Sequence, residues 1–62
     1  MLLKELLGVL PNNQKVKVIY LEKDQLYEVK GSPANIINNY DYLLNEVVSV
    51  AYSKASIISI CL

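Results

Sequence analysis

The fold is decided by a stretch at residues 15–30 that reads KVKVIYLEKDQLYEVK. Apolar side chains recur at every second position on both sides of the polar break at residues 22–25, and this period of two predicts a hairpin of two strands. A one-residue slip would mix the two faces of the hairpin, so the pattern defines the register. The predicted pairs are Leu21 with Leu26, Tyr20 with Tyr27, and Val18 with Val29.

Helices are predicted on both sides of this hairpin. Leucines recur at the i, i+3, i+4 spacing of one helical stripe before Pro11, which ends the first helix. After the hairpin, Ser32 followed by Pro33 is a helix start signal, with the serine as N-cap. We expect the second helix to end near Asn45. The two apolar stripes are Leu2, Leu3, Leu6, Leu7 and Leu10, and Ile36, Ile37, Tyr40, Leu43 and Leu44.

The rest of the chain predicts a second hairpin, with strands at residues 47–53 and 57–62. We expect a three-residue loop at 54–56, because it leaves one face of this hairpin wholly apolar. Residues 1–62 are therefore expected to form a single α+β domain of order αββαββ, a four-stranded antiparallel sheet of two hairpins with two helices on one face. The pairs expected in the second hairpin are Val48 with Leu62, Val50 with Ile60, and Tyr52 with Ile58.

The composition argues against catalysis. Among 62 residues there is no histidine, the usual general acid or base near neutral pH, and no arginine, the usual bidentate ligand of phosphate groups. Cys61 is the only cysteine and has no histidine to deprotonate it, and no cluster of metal-ligating residues is visible. We therefore expect no enzyme activity, no cofactor and no metal site.

The apolar content predicts a protein-binding surface. Apolar residues make up 53% of the chain, although a domain of this size buries only roughly 60% of the surface that its unfolded chain exposes. A homodimer or another protein partner is the simplest way to cover the excess. A final strand that pairs edge to edge with a second copy is one alternative. The interface candidates are Ile19, Leu21, Leu26, Tyr42, Val47, Ala51, Ile57 and Cys61.

The charges are balanced, with six lysines against six acidic residues, and this balance argues against nucleic acid as the partner. The nucleic-acid alternative rests on Lys15, Lys17 and Lys30, which the first hairpin places together at one end. The opening apolar segment is interrupted by Lys4 and Glu5 and is too short to span a membrane. Together with the single thiol, this predicts a cytoplasmic protein without membrane contact.

Three segments resemble small proteins of Gram-positive bacteriophages and prophages. They are the leucine-rich opening helix, the junction LPNNQKVKV at residues 10–18 and the segment NEVVSVAY at residues 45–52. The resemblance implies a phage-encoded protein, and some phage proteins of this size resemble anti-CRISPR inhibitors, which occupy the surface of a host nuclease. We expect a non-catalytic interaction module that acts on another protein in the host cytoplasm. The alternatives are a small nucleic-acid-binding accessory factor and a structural subunit of a larger assembly.

Overall fold

The chain folds into two α-helices, a short 3-10 turn and four strands, and the computed structural model describes all of residues 1–62. This arrangement confirms the α+β class. In chain order the elements are α1 (Leu3–Val9), β1 (Lys15–Glu22), β2 (Gln25–Gly31), α2 (Pro33–Asn39), the 3-10 turn (Asp41–Leu43), β3 (Val50–Lys54) and β4 (Ile57–Cys61).

The first hairpin forms in the predicted register. Leu21 lies opposite Leu26, and the remaining pairs follow in step along both strands. The two residues between the strands, Lys23 and Asp24, have φ angles of 51° and 63°. Two consecutive residues in the left-handed region form a type I′ turn, whose twist matches that of the paired strands. Alternation and turn geometry therefore favour the same register.

The second hairpin does not have the predicted register. Its turn contains two residues, Ala55 and Ser56, with φ angles of 54° and 66°, instead of three. Strand β3 consequently pairs one position away from the expected register, with Val50 opposite Cys61 and Tyr52 opposite Ser59. The physical reason is that a two-residue turn of this type continues the right-handed twist of the strands, and this outweighs a uniformly apolar face.

The prediction of an all-antiparallel sheet is also wrong. The strand order is β2-β1-β4-β3, and the two central strands run parallel, with Val16 beside Ile58 and Val18 beside Ile60. Strand β4 contains three isoleucines and occupies the centre, with Ser59 and Ile60 buried, whereas every residue of β3 is exposed at the edge. The final strand is therefore paired on both sides, and the edge pairing considered for it is replaced by a free edge at β3.

The second helix is shorter than predicted. Ser32 caps it as expected, since its Oγ accepts a hydrogen bond from the backbone N of Asn35 at 3.2 Å. The helix nevertheless ends at Asn39, because Tyr40 leaves the helical region with φ −131° and ψ 45°. Asparagine favours helices weakly, and the Asn39 side chain binds the backbone O of Asn35 at 3.0 Å. Residues 41–43 then continue only as the 3-10 turn.

The core lies on one side of the sheet. Side chains of both helices and the 3-10 turn pack there against the central strands β1 and β4, and we call this side the core face. Residues on the opposite side of the strands form the open face. The buried apolar cluster consists of Leu3, Leu7, Val16, Val18, Ile36, Leu43 and Ile60. Neither α-helix has the length and apolar character that a membrane span requires.

Candidate interaction surfaces

The open face is built by alternate residues of all four strands. The pairings place Lys17 between Lys30 and Ser59, and Ile19 between Glu28 and Cys61. The two-residue turn of the second hairpin adds Val50, Tyr52 and Lys54 of β3 to the same face. The apolar members are Ile19, Leu21, Leu26, Val50, Tyr52, Ile57 and Cys61.

The most exposed apolar pair is at the turn end of the first hairpin. Leu21 and Leu26 lie directly opposite each other and retain 65% and 72% of their accessible surface. Val50 and Tyr52 on the outer strand are about half exposed, at 51% and 49%. Ile19 lies between these two pairs and is only partly buried. Together these five side chains form an apolar patch that nothing in the fold covers.

Of the predicted interface residues, Ile19, Leu21, Leu26, Ile57 and Cys61 share the open face. The free thiol of Cys61 is only partly accessible there.

The other predicted interface residues lie elsewhere. The register shift places Ala51 opposite Ile60, on the core face, so its assignment to the open face is wrong. Val47 precedes β3 and forms an isolated bridge with Leu2, and it is not part of the four-stranded sheet. Tyr42 belongs to the 3-10 turn and lies on the core side. Val50 and Tyr52 also belong to the open face and were not predicted there, because only a two-residue turn gives them this orientation.

The charges are balanced in number but separated in space. Four of the six lysines belong to the open face, together with a single acidic residue, Glu28. The remainder of the molecule carries two lysines and five carboxylates. A chain with no net charge therefore has one net positive face. The four open-face lysines are Lys15, Lys17, Lys30 and Lys54.

Three of these lysines line the larger of two cavities, a groove of about 350 Å³ at the start of β1. We call it the basic groove. Glu28 Oε1 lies 3.6 Å from Lys30 Nζ and 3.9 Å from Lys17 Nζ, so one carboxylate faces two ammonium groups. Lys15 has no ion-pair partner in the structure. The sequence prediction that these three lysines lie together is confirmed, and their lining of a groove could not be read from the sequence.

Neutral polar groups complete the basic groove. Gln14 donates from Nε2 to the backbone O of Lys15 at 3.0 Å and to that of Ser56 at 2.9 Å. These bonds join the start of β1 to the turn of the second hairpin and hold this wall in place. Ser32 accepts from the backbone N of Asn35, which leaves its hydroxyl hydrogen free for another acceptor. Asn13 also lines the groove.

A tyrosine cluster lies on the core side, away from the open face. The hydroxyls of Tyr20 and Tyr42 are 3.2 Å apart, and the ring of Tyr20 stacks on that of Tyr27 with centroids separated by 5.4 Å. The hydrogen bond with Tyr42, reinforced by desolvation, raises the pKa of Tyr20 to about 12. These contacts connect β1 to β2 and to the 3-10 turn.

The chain matches no protein family, no curated protein and no solved structure.

Proposed function

We propose that this protein is a non-catalytic interaction module that binds another protein through its open face. The observation that carries the proposal is the apolar patch around Leu21 and Leu26, which are 65% and 72% exposed on a sheet face without a covering layer. Contiguous exposed apolar patches beside polar residues are typical of protein-binding surfaces. Aromatic side chains such as Tyr52 are enriched in such surfaces because they combine apolar area with a hydrogen-bonding group.

The charges define the chemistry of the partner. Lysines lie at the end of the open face where β1 begins, and Leu21 and Leu26 lie at the other end, so a complementary surface has an apolar part flanked on one side by carboxylates. Two copies placed face to face would bring positive faces together, and like charges at an interface are unfavourable. The partner at this face is therefore a different protein.

The phage resemblance suggests where that partner would be found. A host or phage protein in the cytoplasm is the expected target, and inhibition of a host nuclease is one version of the function. Channels that bind nucleic acids are themselves positively charged. A positive open face therefore favours a contact on an acidic surface of such a nuclease, outside its channel.

A homodimer is compatible with this proposal through a different surface. The free edge of β3 presents unpaired backbone groups, and its only charged residue is Lys54 at one end. An edge without charges or a covering segment can pair with another strand. We place the dimer at this edge, where the two open faces would lie side by side in one continuous sheet.

The experiment compares three forms of the tagged protein in extracts of its host, with and without phage. They are the wild type, the open-face double variant L21S/L26S, and the control V9S, which changes a 73% exposed residue of α1. A partner consistent with the proposal is retained by the wild type and V9S, is lost with L21S/L26S, and binds again when purified. If every retained protein binds all three forms equally, the open face is not the docking surface.

A further inference from the structure

We infer that the basic groove is a binding site for phosphate groups. This site is separate from the exposed pair Leu21 and Leu26, which lies at the other end of the first hairpin and does not line the groove. Its existence does not depend on the protein partner proposed above. The inference rests on three lysines and several neutral polar residues that line the larger concavity of the molecule.

The first hairpin places the lysines side by side, with one carboxylate among them. Lys17 and Lys30 are direct neighbours across the hairpin, and both approach Glu28 within 4 Å. This carboxylate balances only one of the three positive charges that line the groove. Lys15 follows on the same face and has no ion-pair partner. The groove therefore has an excess of positive charge that an anion would neutralise.

The residues that line the groove are of types that bind phosphate. Lysine is a compact point charge and a common ligand of phosphate groups. The free hydroxyl hydrogen of Ser32 and the amide of Asn13 add neutral donors for the remaining phosphate oxygens. Several donors of both kinds fit a ligand with more than one phosphate.

The size of the groove limits the ligand. About 350 Å³ is near the lower end of the range for small-molecule sites, roughly 300–1,000 Å³. No aromatic side chain lines the groove, so bases would not stack inside it. Phosphate groups are therefore the part of the ligand that is recognised. They can come from a free nucleotide or oligophosphate, or from the backbone of a single-stranded nucleic acid without sequence preference.

The test measures binding of inorganic pyrophosphate and of a short oligothymidine by calorimetry and by NMR shifts at about 50 mM salt, where phosphate contacts are least screened. The double variant K15Q/K30Q removes two groove lysines and leaves the partly buried Lys17 in place. The control K54Q/K4Q removes the same charge outside the groove. We expect pyrophosphate affinity to fall at least about tenfold in K15Q/K30Q, the equivalent of a single good contact, and about twofold or less in the control.

The oligothymidine arm identifies the source of the phosphates. If the nucleic-acid backbone is the ligand, a plot of log affinity against log salt concentration has a slope of roughly −2 for three lysine contacts. The variant K15Q/K30Q then makes this slope less steep. Pyrophosphate binding without oligothymidine binding identifies a free phosphate compound. The inference is overturned if neither probe binds, or if K54Q/K4Q weakens binding as much as K15Q/K30Q. The variant L21S/L26S should leave pyrophosphate binding unchanged, which separates phosphate binding from the apolar contact made by Leu21 and Leu26.

Discussion

Tyr20 on the first strand and Tyr42 on the 3-10 turn share a hydrogen bond of 3.2 Å between their hydroxyls. The bond connects the sheet to the segment that follows α2. It also raises the pKa of Tyr20 from its ordinary value of 10.0 to about 12. The folded protein therefore holds the proton of Tyr20 more tightly than the unfolded chain does.

This difference predicts a loss of stability at high pH. Below pH 10 the Tyr20 phenol is neutral in both states, and its contribution to stability is fully present. Between about pH 10 and 12 the unfolded chain loses this proton first, so the free energy of unfolding falls as the pH rises. Urea unfolding at pH 8, 10 and 11.5 measures the effect.

The variant Y42F removes the hydrogen-bond partner and should weaken this alkaline loss. The control Y40F keeps the Tyr20–Tyr42 bond, because the Tyr40 hydroxyl takes no part in it. Phenylalanine also keeps the ring that contacts Tyr42 edge-on, with centroids 6.3 Å apart. An identical pH dependence in wild type and Y42F would show that this bond does not control the ionisation of Tyr20.

The turn of the second hairpin predicts a stabilising substitution. Ala55 and Ser56 both have positive φ, which is unfavourable for residues with a Cβ by roughly 1–2 kcal/mol each. Asn followed by Gly is the preferred pair for this turn type. The variant A55N/S56G should therefore raise the free energy of unfolding by about 1 kcal/mol in urea titrations. As a control, S53G places glycine in the strand and should lower stability. Lower stability in A55N/S56G would contradict the type I′ turn.

The two glycines should respond to alanine in opposite ways. At Gly8 in α1 an added Cβ meets nothing within 4 Å, so G8A should stabilise the protein by about 0.5–1 kcal/mol through its better helix propensity. At Gly31 an added Cβ would lie 2.5 Å from Asn35 Oδ1 and 3.2 Å from Asn35 Cβ, so G31A should be destabilising. Thermal unfolding of both variants tests this pair, and a stabilising G31A would show that Asn35 moves aside freely.

The free edge of β3 predicts how dimerisation can be blocked. Ser53 is exposed on the core face of the edge strand, where lysine is tolerated in a monomer but opposes strand pairing. We expect light scattering to show a concentration-dependent dimer for the wild type and a monomer for S53K. The control A34K adds the same charge on the exposed surface of α2 and should remain dimeric. A wild-type protein that stays monomeric at all concentrations would contradict the proposed dimer at the β3 edge.

Whether the sequence predicts the register of a hairpin depends on the local pattern of polar and apolar residues. Residues 15–18 and 27–30 alternate strictly between polar and apolar, and residues 22–25 form an all-polar break between them, so the register of the first hairpin was predictable. The segments around Val47-Val48 and Ile57-Ile58 place apolar residues side by side, so alternation does not define the register there. The geometry of the two-residue turn determines the register of β3 with β4. This register differs by one position from the predicted one, so Ala51 lies on the core face.

The topology and the groove were beyond the reach of the sequence. Nothing in the local pattern shows that the second hairpin packs beside β1 instead of β2, because strand order depends on packing between distant segments. The clustering of three lysines followed from the first hairpin alone. The groove that they line also needs Ile57 from β4 and Asn13 and Gln14 from the loop before β1, which only the parallel pairing brings together.

The parallel contact between β1 and β4 also sets an order of events during synthesis. The β1–β2 hairpin joins neighbouring residues and can form early, whereas Val16 meets Ile58 only after a long loop has closed. Until residues 57–61 leave the ribosome, one edge of β1 stays unpaired beside a nascent apolar surface. That waiting period is when the growing chain is most prone to aggregate, and a chaperone or early partner would protect it most during this interval.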